Sequence, residues 1–262
     1  MPMTVFRRNV LAGLSALPVT AIPVAARDGA PVIAAASYLQ FALEEIAAAF
    51  ARSTGQRVRL SLGSTGNLSR QIREGAPFQV FMAADEQFII DLYRDGFTRD
   101  AGTLYAIGRI VLTAPENSGL TLDGTLESLR RALAEGQITR FAIANPDHAP
   151  YGMRAREALQ HVGLWKDIQP FLVQGENVSQ AAAFALSGNA EGGIIALSLA
   201  RAPQLAARGS YVLIPEAFHQ PLRQRMALLK AAGPVAEAFY DFLRSPEAQD
   251  IMATYGFMRP ET

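Results

Sequence analysis

The 262-residue sequence has no cysteine, a single tryptophan and only three histidines. Without cysteine there is no disulfide, no thiolate metal site and no thiol nucleophile. His148, His161 and His219 are too far apart to form a ligand-like spacing, so no side chain is expected to ligate a metal directly. Charge of one sign is also missing: 24 Lys and Arg balance 24 Asp and Glu. Neither nucleic acid nor an anionic membrane surface is favoured by such a balance. Walker and G-x-G-x-x-G loops are absent, and no cofactor is expected. Beyond residue 26 no apolar run approaches the ~18–20 residues of a membrane span.

Half of the residues are hydrophobic and 18% are charged, enough for a real core in two modest lobes. Arg7 and Arg8 precede an apolar run from Val10 to Val24 that ends in Val24-Ala25-Ala26. Basic start, short apolar middle and small residues before Arg27 predict a secretory signal over 1–26. Gly13, Pro18 and Pro23 interrupt the run. Export to the periplasm is expected, by the general secretory route or the twin-arginine route, although Phe6 stands where the latter usually has Ser or Thr.

From Val32 the pattern alternates between periods of two and of 3.6. Val32–Ala36 predicts a buried strand that meets Ser37 and becomes a helix over 38–52 with Leu39, Ala42, Leu43, Ile46 and Phe50 on one face. A strand over 58–62, a helix over 67–74, a strand over 80–84 and a helix over 86–95 follow. A second series begins with a strand over 107–114 and helix 125–135, and continues with strand 140–144 and a helix from Pro150 to near His161. It is extended by strand 171–173, helix 179–187, strand 192–197, helix 198–207 and strand 211–214. The strand at 225–229 and helices 234–243 and 246–254 close the chain. Strands alternating with helices predict an α/β protein with mainly parallel sheets flanked by helices, in two lobes joined by two chain crossings.

Four strand-to-helix junctions share one chemistry: Ser37-Tyr38, Ser64-Thr65-Gly66, Pro150-Tyr151-Gly152 and Asn177-Val178-Ser179. Each places a hydroxyl or free backbone N–H groups at a helix start, and ligands of open α/β sheets sit where such starts gather. Taken singly, each is a helix cap. Together, with no Lys or Arg at the junctions, they fit a small oxyanion held by neutral donors. Asp85 reads as the cap of the following helix, Glu44 and Glu45 as a solvated helix edge, and His148 as a loop residue near the cleft. A serine hydrolase using Ser37 or Ser64 is the alternative from another class. Gly63-Ser64-Thr65-Gly66 is not the G-x-S-x-G elbow, however, and no histidine suggests itself as its base.

Ala34-Ala35-Ala36-Ser37, Gly63-Ser64-Thr65-Gly66-Asn67-Leu68-Ser69-Arg70-Gln71-Ile72, Gly75-Ala76-Pro77 and Ala83-Ala84-Asp85 together resemble the periplasmic molybdate-binding proteins of ABC importers. The likeness runs on through Asn145-Pro146-Asp147-His148-Ala149-Pro150-Tyr151-Gly152, Gly175-Glu176-Asn177-Val178 and Pro221-Leu222-Arg223-Gln224 to Tyr255-Gly256-Phe257. It implies a two-lobed, type II solute-binding fold, with 27–107 plus 222–262 as one lobe, 108–221 as the other, and the ligand in the cleft. Crossings near 107–109 and 219–222 would be the hinge. The family's hydroxyl ligands fall on Ser37 and Thr65 and its backbone donors on Tyr151 and Val178, with Tyr38, Ser64 and Ala196 as additional positions. Some members place a tyrosine hydroxyl where Ala196 stands, so one hydrogen bond is missing or replaced here. Tyr151 could compensate with its N–H or ring. The resemblance implies a monomeric receptor, not an enzyme, that binds molybdate, and tungstate as well, through the anion's oxygens and delivers it to an inner-membrane ABC permease. Sulfate or thiosulfate is the alternative within the same class.

Overall fold

The computed structural model describes residues 29–260; the leader expected over 1–26 lies outside them. The chain opens with β1 (Val32–Ala36), α1 (Gln40–Thr54), β2 (Arg59–Gly63), α2 (Thr65–Arg73), β3 (Phe78–Ala83), α3 (Glu86–Arg94) and β4 (Thr103–Gly108). It crosses at Arg109 into β5 (Ile110–Pro115), α4 (Glu127–Ala134), β6 (Phe141–Ala144), α5 (Pro150–His161), α6 (Trp165–Ile168) and β7 (Leu172–Gly175). The same lobe adds α7 (Val178–Ala185), β8 (Gly192–Ala196), α8 (Leu197–Ala200), α9 (Pro203–Ala206) and β9 (Gly209–Leu213). A second crossing over 214–221 returns it to β10 (Leu222–Leu228), α10 (Pro234–Phe242) and α11 (Pro246–Thr254).

Two five-stranded sheets result, in the orders β2-β1-β3-β10-β4 and β7-β6-β8-β5-β9. This is the expected two-lobed α/β architecture, but the sheets are mixed. β1 runs parallel to β2 and β3, and β6 parallel to β7 and β8. β10 is antiparallel to β3 and β4, and β5 antiparallel to β8 and β9. The antiparallel strands are those that enter and leave the crossings, β5 and β10, which arrive from the opposite lobe instead of through a βαβ crossover helix.

Local rules account for the elements. α1 buries Ala42, Leu43, Ile46, Ala49 and Phe50 and stops at Gly55, whose φ of +71° is the left-handed C-terminal cap that glycine adopts without penalty. Phe50 meets Phe239 and Phe242 edge-on, ring centroids 5.2 and 5.6 Å apart. β3 is covered on both faces, with Val80 and Met82 in the larger core and Phe81 and Ala83 in a second cluster with Leu68, Ile72 and Ile89. That two-sided burial explains its unbroken apolar run. Two expectations are corrected. The strand read over 107–114 is two strands in different sheets, turned at Arg109. The helix read over 198–207 is broken, because Pro203 opens a new helix and holds Ala202 in an extended conformation.

Candidate functional site

The carboxyl ends of β1, β2, β6 and β7 point into the gap between the lobes, as the topology of open α/β sheets requires. A small, tight cavity of about 10 Å³ lies there. Organic-ligand pockets run from ~300 to ~1,000 Å³, so the space suits a compact ion. Ser37, Tyr38, Ser64, Thr65, Tyr151 and Val178 line it, and the other lining residues are alanine, glycine and proline. No charged side chain lines it. The structure thus brings Ser37, Thr65, Tyr151 and Val178 together, with Tyr38 and Ser64. Ala196 is not among the lining residues; it ends β8 and precedes α8. A larger open groove beside β4 is bordered by Arg225, Arg244 and Arg259, each already paired with a carboxylate.

The hydroxyls differ from simple caps. Ser37 opens a 3-10 turn whose cap is Ala36, and it makes no capping bond. Instead its Oγ accepts the N–H of Ser179 at 3.3 Å from the other lobe. Thr65 is the first residue of α2, fully buried, and its Oγ1 accepts the N–H of Ala84 at 3.1 Å. With a lone pair so occupied, each hydroxyl keeps its proton to donate. Thr65 and Val178 are the first residues of α2 and α7, and Tyr151 the second of α5, where backbone N–H groups have no intrahelical acceptor. Donors and positive dipole ends therefore come from both lobes. Ser64 is spent differently: its Oγ lies 2.9 Å from His148 Nδ1, and the next N–H on α2, that of Gly66, donates to His148 O at 2.9 Å. A histidine does therefore stand beside Ser64, contrary to expectation, reaching it from the opposite lobe.

Behind the cavity three phenols cluster. Tyr38 and Tyr105 are hydrogen-bonded through their hydroxyls, and the Tyr38 and Tyr151 rings lie 4.9 Å apart. Burial raises all three pKa values, and Tyr38 is pushed further by its tyrosine neighbours. They remain neutral phenols, so the wall carries no negative charge against an anion. The Tyr151 hydroxyl accepts from Gln224 Nε2 at 3.0 Å.

The lobes touch around the site. Ser179 Oγ donates to Ser37 O and Ser198 Oγ to Tyr38 O, each at 2.9 Å, and Asn67 bonds Glu176. Arg154 of α5 meets Asp85, which caps α3 through the N–H of Gln87 as expected. Sequence reasoning missed Ser179, Ser198, Tyr105, Arg154 and Gln224, because their contacts join segments 67 to 160 residues apart. Ser179 carried a signal, at one of the four junctions, and Gln224 lay in a stretch of the family resemblance.

Comparison with known proteins agrees with this fold. Residues 31–258 match the family of bacterial extracellular solute-binding proteins. The chain is 34% identical over 262 residues to the molybdate-binding protein ModA of Rhodobacter capsulatus, covering 98% of this chain and 99% of that protein. It is similar to the solved periplasmic molybdate-binding protein of Azotobacter vinelandii, with a TM-score of 0.78 and 32% identity over 88% of this chain and 100% of that one. The sulfate-binding protein SubI of Mycobacterium tuberculosis H37Rv shares the fold, with a TM-score of 0.73 at 15% identity over 88% of this chain and 87% of that one.

Proposed function

This chain belongs to the bacterial extracellular solute-binding protein family, a family of receptors and not of enzymes, and we propose that it captures molybdate, and tungstate alike, outside the cytoplasm. The observation that carries the reading is the small, uncharged, donor-lined cavity between the lobes. Ser37 and Thr65 would donate through hydroxyls held by backbone N–H groups, and Tyr151 and Val178 through their own N–H groups from the other lobe. Two relatives named as molybdate-binding proteins support the choice of anion.

A fully deprotonated tetrahedral oxyanion offers acceptors on every oxygen, which suits donors that ask for nothing else. A protonated oxygen needs an acceptor, and a site of donors rejects it. Helix dipoles and hydrogen bonds meet the charge without a paired cation, so a modest opening of the cleft exposes the anion to water and lets it leave. Bending at the two crossings between 27–107 plus 222–262 and 108–221 would supply that opening. The protein would act as a monomer in the periplasm, exported by the leader at 1–26, and deliver its cargo to an ABC permease.

Isothermal titration with molybdate, tungstate, sulfate and phosphate tests the reading. Heat with molybdate and tungstate is expected. Binding of sulfate alone would move the protein to another oxyanion, and no heat with molybdate or tungstate would sink the reading.

A further inference from the structure

Among the ion pairs of the described residues, Arg154–Asp85 has the most buried partners, with side chains 10% and 19% exposed. It also joins the lobes. Asp85 follows Ala84 on the cavity wall, and Arg154 sits on α5 three residues beyond Tyr151. Arg154 Nη2 reaches Asp85 Oδ2 at 2.7 Å, while Nη1 holds Glu157 Oε1 at 2.6 Å. Glu157 Oε2 in turn accepts the N–H of Gln220, in the second crossing, at 2.8 Å. One guanidinium therefore ties the first lobe's cavity wall, the helix whose start faces that wall, and the hinge.

We propose that Arg154 is a positioning residue that couples closure of the hinge to retention of the anion, its pair with Asp85 acting as the latch. The inference rests on the proposed receptor function. Neither residue lines the cavity, so the pair acts through the distance between the lobes. Rotation about the crossings carries Asp85 away with one lobe and Arg154 with the other, while Glu157 stays beside Arg154 on its own helix. The guanidinium remains aimed in the open form and finds Asp85 only on closing. Each charge is then hydrated in the open state and paired in a largely water-free one, so the contact biases the closed population alone. An exposed pair would count for little; a buried one, once a partner is removed, leaves a charge stranded in the closed form.

Asp85→Asn keeps the capping oxygen, and Arg154→Met keeps the apolar stem. Release of molybdate is followed by stopped flow with a tungstate chase, alongside thermal unfolding with and without molybdate. Both variants should release molybdate about tenfold faster or more, with association within about twofold of wild type, since losing one partner of a buried pair acts on dissociation. The unliganded Tm of Asp85→Asn should match wild type, while the rise in Tm on adding molybdate shrinks. Release at the wild-type rate overturns the latch, as do equal losses of Tm with and without molybdate, which would mark a merely structural pair. If Arg154→Met does not fold, Asp85→Asn decides alone. A wild-type protein that takes up no molybdate defeats the receptor reading itself, whereas wild-type binding with unaltered variant release defeats only the latch.

Discussion

Thr65 Oγ1 accepts the backbone N–H of Ala84 at 3.1 Å, a bond that joins the first turn of α2 to the end of β3 and fixes where the hydroxyl proton can go. The proton has the cavity before it and no other acceptor among the described residues. Thr65→Val should therefore remove an anion donor and strand the Ala84 N–H. A hydrogen bond to a charged group is worth ~1.5–3 kcal/mol, so molybdate affinity should fall roughly ten- to a hundredfold. Thr65→Ser should retain most of it. Calorimetry on the two variants checks this, and equal affinities would remove Thr65 from the site.

Ser37 makes no cap, so Ser37→Ala should cost the unliganded protein below about 1 kcal/mol in urea unfolding. Its partner Ser179 N–H keeps a second acceptor, Asn177 Oδ1 at 3.1 Å. Affinity should drop by about tenfold or more on loss of a charge-directed donor. Parallel losses of stability and affinity would show that the residue only joins the lobes.

Gly108, at the first crossing, leaves no room for a side chain. A Cβ there would fall 2.3 Å from Gln224 Nε2 and 2.6 Å from the Tyr151 hydroxyl. Both groups are buried, so Gly108→Ala should destabilise by about 1–3 kcal/mol as an overpacked site, and weaken binding by moving Tyr151. Adding Gln224→Ala should recover part of both, because it clears the nearer clash. Unfolding midpoints and titration heats give the comparison, and a double variant no better than the single one would place the strain elsewhere.

These contacts show what the sequence could and could not reveal. The four junctions that hold Ser37, Thr65, Tyr151 and Val178 were legible because strand-to-helix junctions are local patterns, and open sheets gather such junctions at one edge; the family resemblance then singled out the four residues. The change of sheet at Arg109 was not legible, since a period of two continues through residues that pair with different partners. Nor were the contacts that part Ser64 from Thr65, made by His148 and Ala84 from other segments. Asp85 was correctly read as a cap, but its second oxygen serves Arg154 69 residues away. Local rules saw half of its role.

His219, in the second crossing, offers a prediction of a different kind. Its ring is buried, Nδ1 lies 2.8 Å from the Gln220 carbonyl oxygen and Nε2 has no partner. A carbonyl only accepts, so Nδ1 carries the proton of a neutral ring. Burial lowers its pKa from the usual 6.5, and the positive charges of Arg154 and Arg109 act the same way against the Gln220 carbonyl and Glu157. As pH falls the unfolded chain takes up this proton before the folded one does, so stability is complete above about pH 6.5 and declines as pH drops from there toward the depressed folded value. His219→Gln should flatten that decline. Thermal unfolding of both proteins between about pH 8 and 5 reads it directly. The Tm of the wild type should fall more steeply below pH 6.5 than that of the variant. Identical slopes would assign the acid sensitivity to carboxylates instead.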